Sequence, residues 1–446
     1  MLSWIPALAL AADGPLAMDP RVETLDNGLT VILLEDHRTD TIALHLAYGV
    51  GARDEADVER GSAHLFEHLM FEGSANVPTN AFDEWLTAAG GDNNAYTSED
   101  VTAYHMEFPS GALELALFLE SDRMGFLEAG LVQDNLENQQ KVVLQERAEG
   151  YAEPNGRDWD ALGRISWPAD HPYHHPVIGT VADIEAFSLP AVRGFWEAHY
   201  RSRNAVLALV GNFETEEALE RVEHWFSDVP DRGEPVERDN SPLPGGVRDH
   251  HGMLFDDVEE RTLYVVWETV PLGHADEPAL DLLSQLLSGG RGTRLDDQLY
   301  YEHQRTSDVG MFTLNNDRAG QILLYASSPK TPLAKVYKLA LKQIQGLIKD
   351  PPTAEEVARA RRAHRGWLLD ALEQPDRKAE ILVDCFRWTQ EADCLVPRWA
   401  RYEAVTPADV LRVAQTYLIE QQPNTLSVVP RGDDGAMDGA QLVELP

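Results

Sequence analysis

The stretch Gly61–Ser74 reads GSAHLFEHLMFEGS, and His64, Glu67 and His68 within it decide how the rest of the chain is read. On a helix, positions i and i+4 stand one above the other, so both imidazoles reach one metal ion from the same face. Glu67 lies between them in angle, close enough to reach a water activated there. Leu65, Phe66 and Leu69 give the helix an apolar face to bury. With 15 histidines in the chain, a His-x-x-Glu-His pattern arises by chance in roughly one such sequence in 20, so the motif alone is moderately specific. The competing reading is a part-buried helix with incidental histidines. A catalytic zinc needs a third protein ligand and an open position. A later predicted helix, Gln133–Ala152, offers Glu146, which follows His68 by 78 residues.

Around the motif the chain reads as α+β. Asp26-Asn27-Gly28 is a turn signature before a short branched run, Gly28–Glu35, and Ile42–Tyr48 is a second strand. Helices follow at Ser62–Phe71 and at Ala81–Ala89, the latter stopped by Gly90-Gly91. Ala103–Phe108 and Ala205–Val210 read as strands, and Leu113–Met124 and Glu216–Phe226 as helices. The polar stretch 231–246, rich in Pro and Gly, reads as a linker. After it the order repeats coarsely: strand Thr262–Thr269, helix Pro278–Ser288, strand Gln321–Ser327, helices Leu333–Lys349, Ala354–Leu372 and Pro407–Thr416, strand Thr425–Val429. The expectation is two homologous domains, 18–232 and 251–446, each a mainly antiparallel sheet packed against helices, joined by 233–250.

The chain has 446 residues, with 37 Lys+Arg against 75 Asp+Glu and a formal net charge of −38. That excess of acid argues against nucleic acid and against an anionic membrane surface, both of which need clustered cations. An apolar fraction of 43% is enough for real cores and excludes a disordered acidic tail. Leu2–Ala12 is apolar but shorter than the ~20 residues a membrane span requires. It fits the apolar core of a secretory signal with a small-x-small site at Ala9–Ala11, although the first basic residue is Arg21. Residues 1–17 are therefore expected to form a signal-like or disordered leader. The mature protein is then bacterial, periplasmic or secreted, with a cytoplasmic location left open. Two cysteines, Cys385 and Cys394, exclude a disulfide framework and a Cys-based zinc site, and their pairing is left open.

Several further stretches share one source. These are Asp26–Val31 (DNGLTV), Gly61–Ser74, Gly90–Ser98 (GGDNNAYTS), Glu120–Met124 (ESDRM), Glu146-Arg147, His171–Gly179 (HPYHHPVIG) and Asn204–Asn212 (NAVLALVGN). In this order and spacing the chain resembles the metallopeptidases with the inverted zinc motif: pitrilysin, insulin-degrading enzyme and mitochondrial processing peptidase. It is most similar to their bacterial half-length members, over almost its whole length. The resemblance implies one zinc per chain on His64, His68 and Glu146, with Glu67 as general base. It implies a substrate-binding strand at Asn94, Ala95, Tyr96 and Thr97, on which a peptide adds by backbone pairing; the plain alternative is an ordinary edge strand.

The family usually has a second Glu two turns before the ligand Glu; here that position is Gln139. The lost charge is expected to weaken the hold on the metal or turn a ligand, not to abolish the site. His171, His174 and His175 offer a second metal site at most, and loop structure is the stronger reading. Gly289–Leu295 (GGRGTRL) lacks the Lys-Ser/Thr of a phosphate loop and reads as a helix end and turn. The second half has no zinc motif and is expected to be catalytically silent.

Family chambers are built from four homologous domains, so a chain supplying two implies a dimer. The Arg and Tyr that active relatives carry in the silent half fall here on Tyr300 and Ser307, with Arg305 near. That departure suggests a heterodimer with a homologue lacking the zinc motif. The functional expectation is a zinc endopeptidase acting on peptides or unfolded polypeptides. A non-catalytic or weakly active subunit of a heterodimeric complex is the alternative, and a zinc enzyme on non-peptide substrates is poorly supported.

Overall fold

The computed structural model describes residues 16–234, 237–243 and 245–445. Residues 1–15 of the expected leader lie outside the described residues. Leu16 is buried, within the core of the second domain.

The first sheet is built from β1 (Arg21–Thr24), β2 (Thr30–Glu35), β3 (Thr41–Tyr48), β4 (Asp92–Thr97), β5 (Thr102–Pro109) and β6 (Ala205–Gly211). The second holds β7 (His251–Asp256), β8 (Arg261–Thr269), β9 (Asp308–Asn315), β10 (Gly320–Ser328), β11 (Asn424–Pro430) and β12 (Gln441–Leu442). Their orders are β1-β2-β6-β3-β5-β4 and β12-β7-β11-β8-β10-β9. Apart from the outer strands β1 and β12, the topologies coincide. A parallel pair, β2/β6 or β7/β11, opens each series, and antiparallel pairs complete it. The duplication expected from element order is thus present in the strand pairing, and the fold is α+β.

Each sheet is buried on both faces, and the covering helices are exchanged. On the first sheet, Leu44, Leu46, Tyr48, Leu207 and Leu209 face that domain's own helices. The alternate residues Ile32, Ala43, Ala47, Ala208 and Val210 face Ala379, Leu382 and Val383 of helix Pro375–Thr389, which comes from the second half. Conversely, Leu254, Val266, Leu323, Leu426 and Val428 of the second sheet face Ala161, Leu162 and Ile165 of helix Asp158–Ser166, from the first half. Two-sided burial explains why Val31–Leu34 and Ala205–Val210 read as continuous apolar runs instead of alternating. The division of the chain near residue 240 therefore separates the sheets but not the helices that cover them.

The linker carries no helix or strand among its described residues, but it is pinned to both sides. The Arg238 guanidinium donates to both oxygens of Asp54 at 2.9 and 2.8 Å, and the Val247 N–H donates to the Ser166 carbonyl at 2.8 Å. No described helix is long and apolar enough to cross a membrane.

Cys385 and Cys394 form a disulfide, with Cα atoms 5.4 Å apart, joining helix Pro375–Thr389 to the start of helix Leu395–Ala404. Both cysteines are buried. A closed loop of this size restricts the unfolded chain by about 2–3 kcal/mol. Cys385→Ala with Cys394→Ala is expected to lower the unfolding free energy by that amount in a urea titration, and dithiothreitol should lower the Tm of the parent but not of the double variant.

Candidate metal centre

The histidine helix, Ser62–Leu69, starts without a side-chain cap, because Gly61 precedes it at φ +86°. The Glu55 carboxylate supplies the cap from upstream, accepting from the N–H of Gly61 at 2.7 Å and of Ala63 at 2.8 Å. Burial raises the Glu55 pKa well above its ordinary value, and the two backbone donors counteract part of that rise. Ala63, Leu65, Phe66 and Leu69 are buried, and their packing turns His64, Glu67 and His68 toward the cleft. Gly61 abuts Gly179: a Cβ on Gly61 would lie 2.9 Å from the Ile178 carbonyl oxygen, and one on Gly179 3.0 Å from that of Arg60.

The glutamate helix, Gln133–Ala152, packs against the histidine helix and brings Glu146 opposite both rings. Glu146 Oε1 lies 3.7 Å from His64 Nε2, and Oε2 lies 3.2 Å from His68 Nε2. Metal–ligand bonds of about 2.0–2.1 Å in a tetrahedron set the ligand atoms roughly 3.3–3.4 Å apart, and the observed separations bracket that edge. One ligand atom from each residue falls within 4.8 Å of the others, and no other group of three such side chains does so among the described residues. Burial pushes the His64 imidazole down to about 4, so it is neutral at pH 7, the form a metal needs. The hydrogen bond from His68 holds the Glu146 carboxyl below its ordinary value, so it stays ionised. Two neutral-capable imidazoles and one carboxylate, with Glu146 half exposed to solvent, fit a zinc ion with a free coordination position.

Glu67 is the group the sequence placed for base chemistry. Burial raises its pKa, and a hydrogen bond from Thr97 Oγ1 at 2.7 Å counteracts that rise. Cavities open on both sides of the centre. One, of ≈ 430 Å³, is lined by Glu67, His68, Phe71 and residues 92–95 of β4. The other, of ≈ 490 Å³, is lined by His64, Thr97 and Glu146 and by Leu314, Gln321 and Leu323 of the second domain. The site therefore faces the seam between the domains.

The four residues singled out on β4 divide by the period-2 alternation of a strand. Thr97 is turned to Glu67, and Ala95 packs on the same side. Tyr96 turns to the opposite face, against the cluster made with helix Pro375–Thr389. Asn94 lines the smaller cavity and bonds its own neighbour, donor Ala95 N–H, at 2.9 Å. β4 pairs with β5 on one edge only, which leaves its outer edge at the end of the sheet.

Gln139 is buried, and its amide donates to the Glu72 carboxylate. That contact explains the departure at this position: a Glu there would set two carboxylates against each other. The described partner of Gln139 is Glu72, not a metal ligand. His171 stacks on Trp167 with centroids 4.3 Å apart, and His174 Nδ1 sits 2.7 Å from the Trp167 carbonyl oxygen. These histidines shape a loop, and His174 and His175 line the larger cavity. No described contact joins Tyr300, Arg305 or Ser307 to the centre; Ser307 Oγ donates to Glu260 instead. Sequence reasoning missed the cap from Glu55, because nothing in the pattern marks a carboxylate six residues before a glycine as its partner.

Residues 30–174 match the family model described as insulinase (peptidase family M16), and residues 186–363 match that of the peptidase M16 inactive domain. A zinc protease named PqqE from Helicobacter pylori is 25% identical over 413 residues, covering 91% of this chain and 92% of the relative. Among solved structures, a protease from Helicobacter pylori superposes with a TM-score of 0.82 at 24% identity, covering 93% of this chain and all of that one. A peptidase M16 inactive domain from Pseudomonas fluorescens gives the same TM-score at 18% identity, covering 95% of this chain and 100% of that one. The order of the two matched models along the chain agrees with the order of the two sheets, motif-bearing first and motif-less second, and the chain belongs to peptidase family M16.

Proposed function

We propose that this chain is a zinc-dependent endopeptidase acting on peptides or unfolded polypeptides. The observation that carries the reading is the convergence of His64, His68 and Glu146 at metal-ligand spacing, with Glu67 beside them. Zinc, when bound, supplies Lewis-acid polarisation of the scissile carbonyl and makes water a nucleophile at neutral pH. Glu67 takes a proton from the attacking water as the new C–O bond forms. It returns that proton to the amide nitrogen as the C–N bond breaks. Thr97 holds the Glu67 carboxylate in place, and the free edge of β4 offers backbone pairing to an extended peptide. The reading includes a partner chain, since the second domain's Tyr300, Arg305 and Ser307 make no described contact with the centre. The buried disulfide supports an oxidising compartment, periplasmic or extracellular.

Glu67→Gln is isosteric but cannot act as a base at neutral pH. It is expected to keep zinc by metal analysis and to lose about 10²–10⁴ in kcat on a fluorogenic peptide; full turnover by the zinc-loaded variant would overturn the assignment. Glu146→Ala is expected to lose zinc and activity together while far-UV circular dichroism is unchanged. Unchanged zinc content there would exclude Glu146 as a ligand. Thr97→Val removes a donor that favours the ionised Glu67, so the Glu67 pKa must rise. The acid limb of the kcat/KM profile is expected to move to higher pH, and an unmoved limb would detach Thr97 from the base.

A further inference from the structure

The second domain keeps a hollow where the first keeps its metal centre. Helix Glu277–Leu287 follows β8 as the histidine helix follows β3, and helix Ala354–Ala371 packs on it as the glutamate helix packs on the histidine helix. Strand β9 takes the edge position of β4. One hydrogen bond occurs in both halves: Thr97 of β4 donates to Glu67 at 2.7 Å, and Thr313 of β9 donates to Asp281 at 2.5 Å. The chemistry around that bond differs. Tyr402 donates to the other oxygen of Asp281 at 2.5 Å, and His364 stacks on Tyr402 with centroids 4.5 Å apart. Asp281, with both oxygens engaged, anchors the wall of a cavity of ≈ 600 Å³, a volume typical of ligand sites.

We propose that this cavity binds the arginine or lysine side chain of a polypeptide, anchoring it away from the catalytic centre. The proposal rests on the peptidase reading only for the carrier of that side chain. Two properties of the walls select a cation. The first is aromatic surface. Guanidinium groups already lie over two of the pocket's rings, Arg398 at 5.1 Å from Trp388 and Arg365 at 5.6 Å from Trp399. Trp367 lines the same cavity, is 66% exposed and has no guanidinium over it among the described residues. An indole face is the strongest of the side-chain platforms for such a cation. The second property is charge. The lining arginines are already held, Arg377 by Glu380 at 2.7 Å and Arg398 by Glu277 at 2.7 Å. Asp384 shares Arg387 with Asp317, at 3.3 and 3.8 Å, and Asp370 has no ion pair among the described residues. A basic group entering beside Trp367 meets carboxylate that the walls leave unneutralised, on a chain with a net charge of −38.

The test uses the full chain carrying Glu67→Gln, so that binding is read without turnover. Acetyl-triarginine amide and its uncharged triscitrulline counterpart are titrated by calorimetry, with free argininamide as a third probe. The expected result is one site per chain for the arginine peptide and none for the citrulline peptide. Trp367→Ala and Asp370→Asn should each weaken the arginine peptide by about 5-fold, while Trp367→Phe stays within about 2-fold of the parent. Equal binding of the citrulline peptide, or an unchanged Kd in Trp367→Ala combined with Asp370→Asn, overturns the site. Argininamide binding as tightly as the peptide overturns a polypeptide as its ligand. Because Trp367 and Asp370 are exposed, the variants are expected to fold, and circular dichroism checks this. Since no cleavage is measured, a failure of the peptidase assignment and a failure of this site are read separately.

Discussion

Two helices that are distant in sequence have to be held at one spacing, or the three candidate ligands do not share an ion. The contact that sets this spacing is between two glycines. Gly61 leads into the histidine helix and Gly179 lies against it, both at positive φ, with no room for a Cβ on either. Arg147, next to Glu146, donates its Nε–H to the Gly179 carbonyl at 3.1 Å. The residue beside the candidate carboxylate ligand thus grips the same glycine that abuts the start of the histidine helix. A side chain at 61 or 179 would push the helices apart, and a shift of a few tenths of an ångström matters where metal–ligand distances hold to about ±0.2 Å.

The exchange of helices between domains extends that constraint to the whole chain. Helix Asp158–Ser166 leaves the glutamate helix and closes the second sheet; helix Pro375–Thr389 returns to close the first. Neither sheet has both faces covered by its own half alone. The small residues Ala43, Ala47 and Ala208 let the incoming helix approach closely, and Leu382 and Val383 fill the space between them. The larger cavity at the metal centre is a product of the same exchange, since its walls come from Trp159 and Leu162 on one side and β9 and β10 on the other.

The motif and the regular core elements were legible because they rest on local pattern. His64, Glu67 and His68 share a helix face by spacing alone, and Thr30–Glu35, Thr41–Tyr48 and Ala205–Gly211 are short branched runs bounded by turn residues. Glu146 became legible only through resemblance, because a single helical glutamate has no pattern of its own. Helices Asp158–Ser166 and Pro375–Thr389 went unread: each presents only a few apolar residues to the sheet it covers, across the domain division. The interpretation of Gln139 needed Glu72, a contact between helix faces that no spacing rule relates. Tyr96 and Thr97 are neighbours in sequence yet serve opposite faces of β4, which the alternation implies but the family resemblance had merged.

The central claim is that His64, His68 and Glu146 hold one metal ion with Glu67 left free beside it. Diffraction data collected from crystals of the zinc-loaded protein on both sides of the zinc absorption edge test it most directly. The account predicts one anomalous peak per chain, about 2.0–2.2 Å from His64 Nε2, His68 Nε2 and a Glu146 carboxylate oxygen, with Glu67 outside bonding distance. A peak elsewhere, or one coordinated by Glu67 in place of Glu146, would contradict it.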